Sequence, residues 1–120
     1  MTLEGYQMVR KFFRRPLIEA LKEAKKKIEQ GFCQQTWARD ELGNAVRPLD
    51  PEACKWCIGG ALSTTDHYQS CMDFLQLRLP GSVASFNDSR TKEEVLKFLD
   101  ESIEELSTID RRESADTGNG

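Results

Sequence analysis

Four cysteines and a single histidine are the residues of this sequence that could bind a metal ion or supply a nucleophile and a base. Cys54 and Cys57 form a Cys-x-x-Cys pair, while Cys33, His67 and Cys71 are isolated in the sequence. A structural zinc site needs four converging ligands, usually from two such pairs. Because only one pair is present, and because free cysteine is among the most buried residue types, we expect structural thiols, no bound metal and no cofactor.

Catalysis by a cysteine nucleophile would require a neighbouring base and a lowered thiol pKa. The histidine, His67, lies in a polar break between two predicted helices, which is typical of a solvated surface residue. Gly59 and Gly60 fall inside a predicted helix rather than before one, so they do not match a phosphate-binding glycine loop. We therefore expect a non-enzymatic protein that acts by binding.

A second group of residues could form a ligand site. Polar side chains and two aromatic rings lie at the ends of predicted elements: Gln34, Trp37, Arg39, Asp40, Phe86, Asn87, Asp88, Arg90 and Thr91. Aromatic faces with a few polar groups suit a small-molecule pocket, and arginine is well suited to phosphate. We predict that Arg39 and Arg90 converge on a small anionic ligand such as a nucleotide, beside the free N–H groups of a helix that begins at Thr91. The alternative is that Asp40, Asn87 and Asp88 are turn residues paired with the two arginines.

Charge is distributed unevenly along the 120 residues, whose net charge is −3. Residues 10–27 contain eight Lys or Arg against two Glu, whereas residues 93–110 contain seven Asp or Glu against one Lys. The two regions could meet within the fold or between two copies. A protein-interaction module that self-associates, or binds another protein without a small ligand, is therefore the alternative function. Nucleic-acid binding by the first helices ranks third, because acidic residues elsewhere in the chain oppose it.

Length and composition indicate one ordinary soluble domain, with 38% hydrophobic and 31% charged residues. No apolar run approaches the roughly 18–20 residues that span a membrane. The first residues lack the apolar core of a signal peptide. We therefore expect a cytoplasmic protein with no membrane partner and with reduced cysteines.

The spacing of apolar residues predicts a mainly α-helical fold, a compact domain of four to five helices with a small β-hairpin insert. Helices are predicted over residues 2–14, 16–30, 50–62, 67–79 and 91–106, a hairpin within 36–47 and a loop over 82–90. The domain would comprise residues 1–107, followed by a disordered tail over 108–120.

Two helix starts have recognisable caps. Asp50 and Pro51 suit the N-cap and first position of the helix over 50–62, which we predict to be central, with Trp56 buried. Gly59 and Gly60 weaken that helix, so we expect another backbone to pack closely against them. Thr91 with a glutamate three residues later predicts a capping box.

Five short motifs follow one another along the chain: Gly31-Phe32-Cys33-Gln34; Ala38-Arg39-Asp40 with Gly43; Trp56-Cys57-Ile58-Gly59-Gly60-Ala61-Leu62; Phe86-Asn87-Asp88; and Arg90-Thr91 with Glu94-Val95-Leu96. Over residues 17–106 the chain resembles a family of small bacterial and phage proteins known only as a domain of unknown function, with the pattern GWCQ, ARD…G, WCxxGAL, WND, RTxxEVL. Phe32 and Phe86 stand where the pattern has Trp, and Cys54 where it has an aliphatic residue.

This resemblance supports the domain boundaries and implies no activity. It places the protein in a bacterial cytoplasm, or in a host cytoplasm during phage infection. For a phage protein with a nucleotide pocket, one expected role is anti-defence, by sequestering a nucleotide signal of the host.

Overall fold

The computed structural model describes the backbone of residues 11–118 and the side chains of residues 14–112. Within that part, the chain forms five helices and three short strands: α1 (Lys11–Gln30), β1 (Ala38–Arg39), β2 (Ala45–Val46), β3 (Lys55–Trp56), α2 (Ile58–Ser63), α3 (Tyr68–Leu77), α4 (Val83–Ser89) and α5 (Lys92–Gly118). The mainly helical fold with a small antiparallel sheet is confirmed. Most of the helix predicted over residues 2–14 lies outside the described residues.

Helices α1 and α5 pack along each other and carry much of the core. Each helix contributes a buried stripe to one hydrophobic cluster: Leu17, Leu21, Ala24 and Ile28 from α1, and Val95, Leu99 and Leu106 from α5. The helix α1 passes through Pro16 without a break, so the helix start predicted at this proline is wrong. Pro16 lacks an N–H to donate, and the packing of the following three turns outweighs that loss.

The basic and acidic regions meet within one chain. Lys25 Nζ lies 2.7 Å from a carboxylate oxygen of Asp100, and Arg15 Nε lies 3.8 Å from Asp110. The hydrogen bond to Asp100 raises the pKa of Lys25. Each exposed pair contributes about 0–1 kcal/mol, so these ion pairs align α1 and α5, and the hydrophobic stripes hold them together.

The predicted helix over residues 50–62 is wrong in its first half. Residues 50–54 form turns, residues 55 and 56 form β3, and α2 begins only at Ile58. The sheet has the order β2-β1-β3, with Ala38 opposite Trp56 and Arg39 opposite Lys55. The backbone N–H and C=O groups of β3 find their hydrogen-bond partners in β1, a distant segment. Local sequence preference does not predict this pairing.

Two features of this segment are as predicted, although the element is not. Trp56 is buried, with 6% of its surface exposed, and its indole N–H donates to the carbonyl of Pro48 at 3.0 Å. A backbone does pack against Gly60. A Cβ placed there would overlap the carbonyl group of Trp37, with the carbonyl carbon 2.7 Å away. Glycine at this position lets the strand β1 approach α2.

Helix caps differ from the prediction at α2 and agree with it at α5. Cys57, rather than Asp50, is the N-cap, and its sulfur accepts the backbone N–H of Gly60 at 3.1 Å. At α5, Thr91 N–H donates to Glu94 Oε1 at 3.1 Å and Glu94 N–H donates to Thr91 Oγ1 at 3.2 Å. The predicted capping box is confirmed.

The loop predicted over residues 82–90 is a helix, α4. Ser82 is its N-cap, and the hydroxyl oxygen of Ser82 accepts the N–H of Ser85 at 3.0 Å. Val83 and Asn87 lie one turn apart on the buried face. A single turn of buried residues within a Ser-, Asn- and Asp-rich stretch is too short a helical pattern to distinguish from a loop.

Helix α5 continues past residue 107, where the sequence predicts the start of a tail, and runs to Gly118. Its ion pair with Arg15 reaches residue 110. Among the helices of the described part of the chain, none is both long and apolar enough to cross a membrane.

Candidate functional site

The loop over residues 31–37 runs between α1 and β1, and α4 fixes its position. The side chain of Asn87, 2% exposed, accepts the N–H of Ile58 at 3.0 Å and donates to the carbonyl of Cys33 at 3.1 Å. From the loop, Gln34 Nε2 donates to the carbonyls of Asn87 and Arg90, at 3.2 and 2.9 Å. One buried amide therefore joins α4 to the loop and to the first turn of α2.

Arg39 and Asp40 both hold backbone groups. The guanidinium of Arg39 donates to the carbonyls of Gly43 at 2.8 Å and Gln34 at 3.2 Å. The carboxylate of Asp40 accepts the N–H groups of Leu42 and Asn44, at 3.0 and 2.8 Å. The hydrogen bonds from Asn44 are the largest cause of the lowered pKa of Asp40. Asp40 is thus the turn residue of the β1–β2 hairpin.

Arg90 and Thr91 lie at the start of α5, where a carboxylate from the same chain is already bound. The Arg90 guanidinium lies 5.5 Å from the centre of the Phe86 ring and 3.5 Å from Glu94. Glu94 also accepts the hydroxyl and the N–H of Thr91, and the backbone hydrogen bond is the main cause of its lowered pKa. Arg90 lines neither of the two cavities described next.

The first cavity, which we call the Trp37 cavity, lies between the loop and helices α2, α3 and α4 and has a volume of about 240 Å³. Its lining is mainly apolar and aromatic: Gln35, Thr36, Trp37, Cys57, Gly59, Tyr68, Met72, Val83, Ala84, Asn87 and Asp88. The rings of Trp37 and Tyr68 stack with centres 5.7 Å apart and an interplanar angle of 27°. Trp37 is 48% exposed, so an aromatic face remains open to solvent there.

The polar groups of the Trp37 cavity are acidic or neutral, and none of the residues that line it is basic. The carboxylate of Asp88 accepts the N–H of Gln35 at 2.8 Å and the side-chain N–H of Asn87 at 3.2 Å. Burial raises the pKa of the Cys57 thiol, and the charge of Asp88 adds to the effect. The thiol is therefore protonated near neutral pH and is a poor nucleophile.

The second cavity, which we call the Arg39–Lys55 cleft, is more open, with a volume of about 350 Å³. It is lined by Phe32, Cys33, Gln34, Gln35, Arg39 and Lys55. Arg39 and Lys55 are direct neighbours across the β1–β3 ladder. Burial raises the pKa of the Cys33 thiol to about 11, and the two cations act in the opposite direction. Two positive charges therefore face this cleft.

The two cavities are adjacent. Trp37 comes immediately before β1 and Cys57 immediately after β3, so both residues lie at the end of the pairing between the two strands. The N–H of Cys57 donates to the carbonyl of Trp37 at 3.2 Å, so the β1–β3 pairing continues into the Trp37 cavity. Gln35 lines both cavities.

Gln35 itself has a φ of 68°, a left-handed conformation that few residues other than glycine adopt. Its N–H is bound by Asp88 at 2.8 Å, and this contact stabilises the unusual backbone. Gln35, which lines both cavities, is thus a strained residue that the carboxylate of Asp88 holds in place.

The predicted site residues are therefore divided among several places. Trp37, Asn87 and Asp88 line the Trp37 cavity, Gln34 and Arg39 line the cleft, and Asp40, Phe86, Arg90 and Thr91 lie outside both. Sequence reasoning missed Gln35, Lys55, Cys57, Gly59, Tyr68 and Met72. Polar and apolar side chains alternate over Lys55, Trp56 and Cys57, as in a strand. The helix predicted over residues 50–62 hides this signal.

Within the described part of the chain, no three Cys, His, Asp or Glu side chains come together in a group that could hold a metal ion. The model of a family of unknown function, DUF6197, matches residues 13–105, in agreement with the resemblance given by the motifs. No curated protein and no solved structure matches the chain.

Proposed function

This chain belongs to DUF6197, a family of unknown function, and we propose that it is a non-enzymatic protein that binds a small ligand through a planar ring in the Trp37 cavity. The observation that carries the proposal is the half-exposed Trp37 ring, stacked on Tyr68 at the rim of an apolar cavity. An exposed aromatic ring beside an apolar cavity offers a surface on which a planar ring can stack.

The size of the cavity restricts the ligand. Pockets that enclose a whole drug-sized molecule have volumes of about 300–1,000 Å³, and the Trp37 cavity has about 240 Å³. It fits one ring system and leaves the rest of a larger ligand outside. Met72 also lines the cavity, and its flexible side chain can adapt to rings of different shape.

The polar groups restrict the chemistry of the ring. Asp88 lies at the surface with one oxygen, Oδ1, occupied by Gln35 and Asn87. An ionised carboxylate accepts hydrogen bonds and donates none. A ring that carries N–H groups, as nucleobases do, is therefore favoured over an acidic ring.

A titration with nucleobases and nucleosides, followed by tryptophan fluorescence and calorimetry, tests this proposal. We expect binding to wild type, and a loss of at least about fivefold in affinity for Trp37→Ala, because stacking of a base on an aromatic side chain contributes about 1–3 kcal/mol. Trp37→Phe should retain most of the affinity. Leu42→Ala is the matched control, because Leu42 is 87% exposed and does not line the cavity.

The result that contradicts the proposal is an absence of binding by every ring compound, or equal binding by wild type and Trp37→Ala. The role in host defence expected from the family resemblance is a further question. It would be addressed by identifying the ring compound that co-purifies with the protein.

The protein-interaction module is the second candidate, and two exposed leucines favour it. Leu42 and Leu49 are 87% and 75% exposed, and they lie on the turns before and after β2, an edge strand of the sheet. Edge strands with exposed apolar residues can pair with another chain. Sedimentation of wild type and of a Leu42→Ser, Leu49→Ser double variant tests this. A mass above that of one chain, lost in the double variant, would favour association over ligand binding.

A further inference from the structure

We infer that the Arg39–Lys55 cleft is an anion subsite, so that the ligand is a planar ring joined to an acidic group such as a phosphate or a carboxylate. The inference rests on the proposed function, because it concerns the part of the ligand that extends beyond the Trp37 cavity. The site assigned to the anion is the cross-strand pair Arg39 and Lys55, and Lys55 is a residue that the sequence did not indicate.

Arg39 has hydrogen-bond donors to spare. Arg39 uses two of its N–H groups on the carbonyls of Gly43 and Gln34, and a guanidinium has five. These two bonds hold the guanidinium plane in place, and its other N–H groups have no hydrogen-bond partner among the described residues. A pinned arginine loses little entropy when it binds an anion.

Lys55 supplies the second positive charge of the cleft. Among the side chains that the structure describes, no ion pair and no hydrogen bond engages the ammonium of Lys55, and the side chain lines the cleft. Its Cγ lies close to Gly31, so the aliphatic stem is packed. An ammonium has three N–H donors and no acceptor, so this group can bind an anion in the cleft.

Two other places where an anion could bind are excluded by carboxylates of the chain itself. The Trp37 cavity contains the carboxylate of Asp88 and no basic residue, so an anion there would be repelled. At the start of α5, Glu94 already binds the N–H and hydroxyl of Thr91. Of these places, only the cleft offers two positive charges and no carboxylate.

The ring site in the Trp37 cavity and the anion site in the cleft are close enough for one ligand to occupy both. Trp37 comes immediately before β1, and its carbonyl accepts the N–H of Cys57 at 3.2 Å, so it lies at the end of the β1–β3 pairing that contains Arg39 and Lys55. Gln35 lines both cavities, so a ligand that crosses it can occupy both at once. A nucleoside monophosphate has this form, with a ring at one end and a phosphate at the other.

The test compares nucleosides with their 5′-monophosphates by calorimetry on the whole chain. The phosphate should increase affinity by at least about tenfold for wild type, since charge-assisted hydrogen bonds are roughly twice as strong as neutral ones. Most of that increase should be lost in Lys55→Met, which keeps the packed stem, and recovered in Lys55→Arg. Lys26→Met, an exposed lysine on α1, is the matched control and should behave as wild type.

Salt gives a second measurement that does not depend on any variant. The gain from the phosphate should fall as ionic strength rises past about 0.15 M, where screening acts over roughly 8 Å, whereas nucleoside binding should change little. Inorganic phosphate alone should bind more weakly than the monophosphate and should weaken further in Lys55→Met.

The outcomes separate this inference from the proposed function. If nucleosides and monophosphates bind equally well and Lys55→Met changes neither, the anion subsite is wrong and the ring site stands. If phosphate binds through Lys55 while Trp37→Ala changes nothing, the cleft binds anions and the ring site is wrong. If no probe binds wild type, both are wrong.

Discussion

At the scale of single residues, Asn87 is the side chain on which the site depends most. It is buried, and its amide satisfies the N–H of Ile58 and the carbonyl of Cys33. These two backbone groups belong to the two segments that flank the Trp37 cavity. The amide can serve both because it carries a donor and an acceptor on one short side chain.

Asn87→Ala should therefore destabilise the protein by about 2–4 kcal/mol, because each buried group left without a partner costs roughly 1–3 kcal/mol. Asn87→Asp should restore the acceptor for Ile58 and leave the carbonyl of Cys33 unsatisfied. Urea denaturation measures both effects. Asn44→Ala, at an exposed asparagine of the hairpin turn, should cost far less. Equal effects at positions 44 and 87 would contradict the role given to Asn87.

The adjacent glycines of α2 provide a matched pair at the same scale. A Cβ at Gly60 would overlap the backbone of Trp37, whereas a Cβ at Gly59 finds its nearest neighbours, Cys57 Sγ and Met72 Cε, at 4.0 Å. Gly60→Ala should destabilise the fold by about 1–3 kcal/mol through overpacking. Gly59→Ala should be neutral, or stabilise by up to about 1 kcal/mol, yet it adds a methyl group to the lining of the Trp37 cavity and should weaken ring binding. Thermal denaturation and titration of both variants decide this. A stable Gly60→Ala protein would contradict the close approach of β1 to α2.

At the scale of elements, the sequence predicted helices best where the apolar pattern was long and periodic. Helix α1 after Pro16, helix α3 and the start of α5 follow such patterns, and the Thr91–Glu94 capping box is present. Strand β3 was missed because residues 50–57 carry helix-start signals, and only the distant partner β1 turns them into a strand. The candidate site was half predicted for the same reason. Trp37, Arg39, Asn87 and Asp88 line the cavities, whereas the partners from β3, α2 and α3 required the tertiary fold.

The capping box of α5 makes stability depend on pH in a defined direction. Hydrogen bonds from Thr91 lower the pKa of Glu94 below its ordinary value of 4.5. Because the folded-state pKa is the lower one, the contribution of Glu94 is present above pH 4.5 and is lost as the pH falls through the folded-state pKa. Glu94→Ala should therefore be less stable than wild type at pH 7, and the difference should shrink on acidification. Glu93→Ala, the neighbouring control, should show a smaller dependence. A difference that grows towards acid pH would contradict this account.

At the scale of the whole molecule, opposite charges join α1 to α5 within one chain. The ion pairs Lys25–Asp100 and Arg15–Asp110 use some of the charges of the basic and acidic regions within the chain itself. The two cavities are lined by other segments: the loop over residues 31–37, the strands β1 and β3, and the short helices α2, α3 and α4. The long helices thus act as a scaffold, and the short elements between them carry the candidate site.

The ion pairs between α1 and α5 lead to a prediction about association between copies of the chain. Because ion pairs already join the basic and acidic regions within one chain, sedimentation should show one mass, that of the 13.7-kDa chain, on either side of about 0.15 M salt. Lys25→Ala should lower stability by less than about 1 kcal/mol without changing that mass. A dimer that dissociates as salt rises would show that the charged faces also meet between copies.

The central claim, that a ring binds against Trp37, is tested most directly by following the two indole N–H signals in an NMR titration with nucleosides and their 5′-monophosphates. Trp56 serves as an internal control, since its indole N–H is bound to the carbonyl of Pro48 at 3.0 Å and its ring is buried. The account predicts that the Trp37 signal shifts in a saturable manner while the Trp56 signal stays in place. Saturation without a shift at Trp37, or no saturable change at either indole with any compound, would contradict it.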